Sequence, residues 1–390
     1  MGSQQIRVAL VSPGAANETS FTHCQTTFLK VMRSAVTLDY VAEAAGECNG
    51  VQFTPISIFS PEHYDVVHFQ WGNHPVHYFE FQKLLELSSR RKRPAIVSTL
   101  HEADLRFLIG ASRQASSLRW KFRMRRLFET LDGQRASEYE FYSRQTVAEI
   151  MRRSDRVIVH SAYTKRRLIG EHSLNSMQAE KIVVANLCID WNDYAGLADP
   201  LAAIRTSSKR RPMVFLYVGN LDKMKSLHKI VEALELVRHF GARNDCFLVV
   251  VGAGPEYYRI RRLADAALAD QCVFAGSVPR ISEYYALADV VVCPRALPRG
   301  EISGVIPEAC AAGKPILLPD IGGWSEYVNE TRGFLTRRDD TIEYAEAILH
   351  CLNHPEEVRQ KGMKARQFAK EHLTWQSQVE FYESIYRHVC

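Results

Sequence analysis

Residues 300–320, GEISGVIPEACAAGKPILLPD, place two carboxylates ahead of a helix that is otherwise made of small and apolar side chains. Pro307 fits the first turn of that helix, and the Gly-Lys-Pro that follows ends it. The apolar residues at 315–320 then form a short buried strand. The stretch predicts one helix-to-strand unit of a parallel α/β sheet, with Glu308 in the first helical turn and Glu301 in the loop before it.

The same alternation of apolar runs and amphipathic segments continues in both directions. Buried parallel strands are predicted at 6–12, 65–71, 95–101, 156–161, 214–220, 246–254, 272–278, 290–294 and 315–320. A helix is predicted over 28–45, and the Pro, Ser and basic residues of 197–213 predict a linker.

This order of elements predicts an α/β protein with two Rossmann-like domains. The domains are 1–200 and 201–370, and 371–390 is a terminal helical segment. Ligands of such sheets bind beyond the carboxyl ends of the strands. Two parallel sheets that face each other would leave one deep cleft for a ligand.

Composition excludes several classes of protein. Hydrophobic residues make up 46% of the 390 residues and charged residues 24%, as in ordinary folded domains. The nine cysteines form no CxxC pair, which disfavours a zinc site or a disulfide framework and favours a reducing, cytoplasmic compartment. The first residues enter a strand without a signal peptide, and no apolar run approaches the ~20 residues that span a bilayer. A net charge of only +5 does not indicate binding to nucleic acid.

Segment 105–128 departs from the α/β pattern because it holds seven Arg or Lys residues and no acid. The charges are interleaved with Trp120, Phe122 and Leu127. One interpretation is a solvated helix face or surface loop. The other is a basic, aromatic patch that contacts an anionic membrane or an anionic acceptor. The residues alone leave both interpretations open.

Two turns in the second half of the chain are candidates for phosphate binding. In the first, Gly219 ends a strand and Lys225 immediately precedes a helix. A helix N-terminus carries unpaired N–H groups and a partial positive charge, so a lysine there favours phosphate. The second turn, VVVGAGP, includes Gly254, but Tyr257 replaces the last glycine of a dinucleotide fingerprint. NAD and FAD are therefore disfavoured.

The two carboxylates of the opening stretch complete this site. Glu308 in a first helical turn could simply complement the helix dipole. The small residues after it, however, allow the helix to pack closely on the sheet and to aim its N-terminus at the ligand. A carboxylate there can accept two hydrogen bonds from ribose hydroxyls, and Glu301 could reach a second polyol. A lysine for phosphate and two carboxylates for vicinal hydroxyls together indicate a nucleotide-sugar site.

Five segments together resemble the retaining glycosyltransferases of family 4, which have the GT-B fold, and the resemblance spans nearly the whole chain. The segments are SDRVIVHSAYTKRRL (154–168), VVANLCIDWNDY (183–194), VGNLDKMKS (218–226), GEISGVIPEACAAGKPILLPDIGGWSEYV (300–328) and HLTWQSQVEFYESIY (372–386). The resemblance implies two Rossmann-like domains whose parallel sheets face each other across a cleft, with the last helix packing back on the N-terminal domain.

The resemblance also implies a role for each matching residue. Glu308 would bind the donor ribose, Glu301 would touch the donor sugar, and Lys225 would hold the diphosphate. His101, at the end of a strand, would face the transferred sugar, although His68 also lies near a strand end and competes for this role. The other donor-binding residues implied are Gly14, Gly219, Asn220, Gly254, Arg299, Gly304, Val305 and Ile306. The family needs no metal ion and no cofactor besides the donor, because side chains and helix dipoles neutralise the leaving diphosphate.

The sequence departs from the family pattern at four places. Ser303-Gly304 stands where the family has Phe-Gly, and the N-terminal loop has only Gly14 where the family has Gly-Gly. Asn220 stands where the family has an arginine, and Arg295 or Arg299 could replace its charge. Six residues separate Glu301 from Glu308, where the family has seven.

The resulting hypothesis is an enzyme that transfers a sugar from a nucleotide-sugar to an acceptor hydroxyl with retention of configuration. The expected acceptor is a glycan, a lipid-linked molecule or a small molecule, and nucleic acid is not an expected partner. The expected location is the cytoplasm, with peripheral contact to the inner face of a membrane through 105–128. One alternative is a non-catalytic GT-B homologue that binds a nucleotide-sugar, a glycan or a partner protein. A weaker alternative is a nucleotide-sugar epimerase.

Overall fold

The computed structural model describes residues 5–14, 20–105, 108, 135–194, 212–241, 246–296 and 302–390. It divides the chain into two compact units. The first unit runs to Asn186 and resumes from Gln378 to Cys390. The second begins at Leu187 and ends at Ser377.

The first unit is built on an eight-stranded sheet in the order β3-β4-β2-β1-β5-β6-β7-β8. Its strands are β1 (Arg7–Val11), β2 (Thr37–Ala42), β3 (Gly46–Cys48), β4 (Val51–Pro55), β5 (Val66–Trp71), β6 (Ala95–Leu100), β7 (Arg156–Val159) and β8 (Ile182–Val184). Only the pairing of β3 with β4 is antiparallel, and every other pairing is parallel. The helices are α1 (Ser20–Met32), α2 (Tyr78–Ser88), α3 (Arg135–Arg153), α4 (Ala162–Glu171) and α5 (Ser176–Glu180).

The second unit has a six-stranded, fully parallel sheet in the order β11-β10-β9-β12-β13-β14. Its strands are β9 (Met213–Val218), β10 (Cys246–Val251), β11 (Cys272–Gly276), β12 (Val290–Val292), β13 (Ile316–Pro319) and β14 (Gly333–Thr336). The helices are α6 (Leu227–His239), α7 (Tyr257–Leu268), α8 (Ile281–Leu287), α9 (Val305–Ala311), α10 (Thr341–Asn353), α11 (Pro355–His372) and α12 (Trp375–Val389). The last helix crosses the boundary at Ser377 and ends in the first unit.

Burial on both faces explains why continuous apolar runs form the central strands. All six residues of β5 are buried, and so are all three of β12. Helices that cover both faces of a parallel sheet remove its strands from water on each side. The apolar runs therefore predict the central strands of both sheets.

The helix predicted over 28–45 is wrong. Helix α1 ends at Met32, and strand β2 begins at Thr37. Leu38, Tyr40 and Val41 are buried in that strand, and β2 pairs with β1 over five residues. The β-branched and aromatic residues of this segment favour a strand, which the helical interpretation overlooked.

The division between the units lies at 186/187, whereas the sequence predicts 200/201. The segment after Asn186 already packs with the second unit. The backbone N–H of Leu187 donates to the Tyr327 hydroxyl at 2.7 Å, and Ile189 forms a bridge with Thr374. At the other end the chain re-enters the first unit at Gln378, and not at residue 371.

The described helices include none that is long and apolar enough to cross a membrane.

Candidate functional site

The carboxyl ends of β9 and β10 lead into two turns that pack against each other. The Gly219 N–H donates to the Val251 carbonyl at 3.0 Å, and the Leu221 N–H donates to the Ala253 carbonyl at 2.8 Å. Gly254 has a φ of 156°, and a Cβ added there would lie 2.4 Å from the Leu221 carbonyl oxygen. A glycine at 254 is therefore required by the close approach of the two turns.

Lys225 is held in a short 3₁₀ turn between β9 and α6. The carboxylate of Asp222 caps this turn by accepting from the N–H groups of Met224 at 2.8 Å and of Lys225 at 3.1 Å. Ser226 follows with a φ of 48°, and α6 begins at the next residue. The sequence placed Lys225 just before this helix, and the structure confirms that position.

Asn220, at the position where the family has an arginine, is exposed. Its side-chain amide donates to Asp222 at 3.2 Å, and its backbone carbonyl oxygen accepts from the Tyr217 hydroxyl at 2.8 Å. Asn220 thus helps to shape the turn around Lys225, and it brings no charge to it.

Two cations act together where β12 ends. Burial raises the pKa of the Cys293 thiol, while the positive charges of Lys225 and Arg295 oppose that rise. The Arg295 side chain is buried, with its guanidinium carbon 5.9 Å from the centroid of the Trp324 ring. Lys225 and Arg295 therefore create a positive region at this edge of the second sheet.

Glu308 lies in the first turn of α9, as the sequence predicts. Its Oε2 accepts a hydrogen bond of 2.7 Å from the hydroxyl of Tyr285, which is fully buried. Burial raises the pKa of Glu308 to about 7, the Tyr285 hydrogen bond opposes this rise, and the negative charge of Asp193 adds to it. The carboxylate is therefore held in one orientation in a poorly hydrated place and close to its ionisation point at neutral pH.

Sequence reasoning missed three neighbours of Glu308, namely Asp193, Tyr194 and Tyr285. Tyr194 packs edge-on against Tyr285, with ring centroids 5.8 Å apart. Asp193 and Tyr194 come from the turn before the linker, and Tyr285 comes from α8. Asp193 and Tyr194 belong to WNDY (191–194), which the family resemblance includes, but nothing in the sequence indicates that they lie near Glu308.

The start of α9 places Val305 and Ile306 in the core, and both residues are buried. Gly304 precedes them, is exposed, and would tolerate a Cβ because no atom lies within 4 Å of one built there. Its φ of −56° is open to any residue. Glu301 and Arg299 lie outside the described residues.

In the first unit, His101 follows β6 and is enclosed by polar groups. Its backbone N–H donates to the Trp71 carbonyl at 3.0 Å. Its Nδ1 lies 3.0 Å from His160 Nε2, and its Nε2 lies 2.8 Å from the Gln70 amide. Burial lowers the pKa of His101 well below its usual range, and the nearby histidines lower it further. His101 is therefore a neutral imidazole at physiological pH.

His68 is fully buried. Burial lowers the pKa of His68 to about 3. It contacts Thr99 and Tyr386 and stays within the interior, whereas the His101 side chain is partly exposed. Of the two competing histidines, only His101 reaches the surface.

Gly14 closes the first loop of the same unit. Its N–H donates to a Glu43 carboxylate oxygen at 2.9 Å, and a Cβ built on it would lie 2.9 Å from the Ala42 Cβ. A larger residue would therefore displace the β2 end. The basic segment 105–128 is described only at Leu105 and Leu108, so its structure lies outside the described residues.

No group of three or more His, Cys, Asp or Glu side chains within the described residues is arranged to hold a metal ion.

The two parallel-sheet units and this site place the molecule among proteins of the GT-B class. HepE from Anabaena, crystallised in complex with UDP and glucose, has a TM-score of 0.72 and 16% identity, covering 98% of this chain and 100% of that chain. The likeness shows the fold, which is that of the GT-B glycosyltransferases.

Sequence comparisons agree over the second unit. Residues 203–368 match the family described as "Glycosyl transferases group 1". The D-inositol 3-phosphate glycosyltransferase of Nocardia farcinica is 27% identical over 238 residues, which are 58% of this chain and 50% of that protein. The O-antigen chain mannosyltransferase C of Escherichia coli is 27% identical over 177 residues, 44% of this chain and 46% of that protein. The chain matches about half the length of these curated relatives.

Proposed function

We propose that the protein transfers a sugar from a nucleotide-sugar to an acceptor hydroxyl, with retention of configuration and without a metal ion, as a glycosyltransferase of family 4. The observation that carries this proposal is the fixed carboxylate of Glu308, bonded to buried Tyr285 in the same unit as the positive pair Lys225 and Arg295. Two vicinal hydroxyls can donate hydrogen bonds to the carboxylate, and the two cations can pair with a diphosphate. The family match over 203–368 supports it.

The proposed way of binding the donor follows from the carboxylate of Glu308 and the two cations. Glu308 accepts hydrogen bonds from the ribose hydroxyls, and Lys225 and Arg295 hold the diphosphate. Charge builds on the diphosphate as the sugar leaves, so fixed cations stabilise the transition state more than the ground state. The UDP and UDP-glucose complexes of HepE support a nucleoside diphosphate sugar as the donor.

The remaining roles follow the resemblance. Glu301 touches the donor sugar, His101 contacts the transferred sugar, and the backbone N–H of Val305 assists the diphosphate. The Ile306 N–H already donates to the Ser303 carbonyl at 2.9 Å, so the role that the resemblance implies for it is not retained. The relatives' names, which mention an inositol phosphate and an O-antigen chain, support a small molecule or a glycan as acceptor. We place the protein in the cytoplasm, with the basic segment 105–128 in contact with an anionic membrane surface.

A second candidate is a non-catalytic homologue that binds a nucleotide-sugar. The neutral, exposed Asn220 favours it, because one charge of the family's diphosphate site is missing there. Binding without transfer distinguishes this candidate from an enzyme.

Thermal-shift screening against UDP, GDP, ADP and their sugars tests the proposal. A ligand at a hundred times its dissociation constant should stabilise the protein by about 2.7 kcal/mol. Glu308→Gln should lose most of that shift, while Glu356→Gln, a change on the exposed face of α11, should keep it. If no nucleotide stabilises the wild type, the proposal fails. For a donor that binds, the anomeric configuration of the product, read by NMR, decides between retention and inversion.

A further inference from the structure

A chain of hydrogen bonds in the first unit connects the last helix to His101. Tyr386 on α12 lies 2.8 Å, through its hydroxyl, from His68 Nδ1. His68 Nε2 lies 3.0 Å from Gln70 Nε2 and 2.7 Å from the Thr99 hydroxyl. Gln70 Oε1 in turn lies 2.8 Å from His101 Nε2.

The chain ends at a backbone carbonyl beyond His101. His101 Nδ1 lies 3.0 Å from His160 Nε2, and His160 Nδ1 lies 2.9 Å from the Ala185 carbonyl oxygen. The side chains of Tyr386, His68, Gln70 and His160 are all buried, so bulk water does not compete for these contacts.

The Ala185 carbonyl fixes the direction of the bond from His160, because it can only accept. His160 must therefore donate from Nδ1. Since burial lowers the pKa of His160 to about 4, its Nε2 is unprotonated and accepts. His101 then donates from Nδ1, which leaves the Nε2 of this neutral imidazole as an acceptor.

Gln70 Nε2 faces His68 and Gln70 Oε1 faces His101 in the structure, so this direction requires the two ends of the amide to exchange, with the NH₂ group toward His101 and the oxygen toward His68. The two ends of an amide have the same shape and are assigned from their partners. Gln25, whose amide nitrogen lies 3.4 Å from His101 Nε2, also presents a donor to that nitrogen. His68 then donates from Nε2, and its Nδ1 accepts from the Tyr386 hydroxyl. Every member donates in the same direction, from the last helix to β8.

We propose that Tyr386 and His68 are positioning residues that hold His101 in its Nδ1–H tautomer, with Nε2 free of a proton, so that the last helix controls the state of His101. The consequence for sugar transfer rests on the proposed function. The hydrogen-bond chain itself does not, because it follows from contacts within the first unit.

Imidazole ¹⁵N NMR of the whole protein, labelled at histidine, tests this chain directly. In the wild type near neutral pH, His101 should be protonated on Nδ1 only and His68 on Nε2 only. Spectra of His101→Asn and His68→Asn assign the two signals. The opposite tautomer at either ring, or a protonated His101, would overturn the proposal without any need for a further variant.

Tyr386→Phe tests the role of the helix. Loss of the hydroxyl leaves His68 Nδ1 without its donor, so a second tautomer should appear at both His68 and His101. Tyr344→Phe is the matched control, since it removes a buried tyrosine hydroxyl that donates to Asp339 in the second unit. This control should leave both histidine signals in place. Unchanged His101 signals in folded Tyr386→Phe would refute control by the helix.

The kinetic consequence separates this inference from the proposed function. If the protein transfers sugar, Tyr386→Phe should lower kcat about tenfold, the scale for groups that orient a functional histidine, and leave the donor KM unchanged. If His101 and His68 have the predicted tautomers but the protein transfers no sugar, the hydrogen-bond chain is supported and the proposed function is rejected. A changed tautomer with an unchanged kcat would reject the influence of the last helix on transfer.

Discussion

The carboxylate of Glu308 destabilises the folded protein when it is ionised. Its folded pKa of about 7 lies above the usual value of 4.5, so between these pH values the folded state binds more protons than the unfolded state. Its contribution should therefore lower stability as pH rises from about 4.5 to about 7, by on the order of 3 kcal/mol. The sequence predicted the place of Glu308 in a first helical turn, but this cost to folding was not predictable, because burial beside Tyr285 is not visible in the local pattern.

Glu308→Gln should remove this pH-dependent penalty. Urea unfolding at about pH 5 and about pH 8 is the measurement. Relative to the wild type, the variant should gain stability on going from the lower to the higher pH. Glu356→Gln should show no such gain, because Glu356 is exposed and keeps a low pKa through its bond to Arg359. A Glu308→Gln variant whose stability relative to wild type is the same at both pH values would contradict the prediction.

Donor affinity should depend on pH for the same reason. An ionised Glu308 accepts two ribose hydroxyls better than a protonated one, which must use its own proton as a donor. Below a pH of about 7 the affinity for a nucleoside diphosphate should therefore fall, by up to about tenfold per pH unit. Calorimetry between about pH 5.5 and about pH 8 measures this. The groups identified beside the carboxylate are Asp193, Tyr194 and Tyr285. The slope should be smaller in Glu308→Gln, where only the terminal phosphate of the nucleotide, with a pKa of about 6, still titrates.

Lys225 should matter more for turnover than for donor binding. The leaving diphosphate gains negative charge as the bond to the sugar breaks, so a fixed cation contributes most in the transition state. Lys225→Ala should lower kcat by a larger factor than it raises the donor KM in steady-state kinetics. Lys364→Ala, an exposed lysine of α11, is the control. Equal factors for kcat and KM in Lys225→Ala would restrict this lysine to ground-state binding.

The paired turns after β9 and β10 are the element on which Lys225 depends. Gly254→Ala would put a Cβ 2.4 Å from the Leu221 carbonyl oxygen on a backbone with a φ of 156°. Strain and the forced shift should lower the free energy of unfolding by about 1–3 kcal/mol in denaturant titrations. Gly304→Ala should change stability by less than about 0.5 kcal/mol, because its site is open and its φ is ordinary. Equal stability of both variants would contradict the steric argument.

The sequence predicted some elements better than others for a physical reason. Central strands such as β5 and β12 are buried on both faces, so they appear as continuous apolar runs. Strand β3, Gly-Glu-Cys, is partly exposed and leaves no such run. Strand β2 was taken for helix because its apolar positions continue the pattern of α1.

The sequence predicted the site residues whose positions depend on a single segment. It did not predict the contacts between residues from distant segments. Lys225 and Glu308 each follow a strand or open a helix, so a local pattern locates them. The contact of Tyr285 with Glu308 joins α8 to α9, and the action of Arg295 on Cys293 beside Lys225 depends on the order of strands in the sheet. Tertiary packing alone brings such groups together.

Transfer by the whole protein should be insensitive to chelators. In the proposed donor site, Lys225 and Arg295 supply two positive charges to the diphosphate, which is the task that a divalent cation performs in other enzymes. Transfer rates measured before and after treatment with EDTA should be equal. A rate that falls with EDTA and returns with magnesium would contradict the metal-free mechanism.

The basic segment 105–128 predicts that the whole protein binds to an anionic membrane surface. Its seven Arg and Lys residues, without an acid, should each add ~1 kcal/mol near an anionic leaflet, and Trp120 and Phe122 should add interfacial burial. The protein should therefore sediment with anionic vesicles at low salt and be released at high salt, since salt screens these charges.

Charge reversal separates this specific contact from a general effect of net charge. Replacing Arg123, Arg125 and Arg126 by Glu should abolish sedimentation with the vesicles and leave nucleotide affinity unchanged, because Lys225, Arg295 and Glu308, which carry the proposed nucleotide contacts, lie in the second unit. The matched control reverses three exposed arginines of the second unit, Arg280, Arg337 and Arg359, and changes net charge by the same amount. If binding depends on 105–128, only the first triple variant should lose it. Equal vesicle binding by the wild type and the 105–128 variant would refute the membrane contact. An equal loss of binding in both triple variants would show that binding depends on net charge and not on this segment.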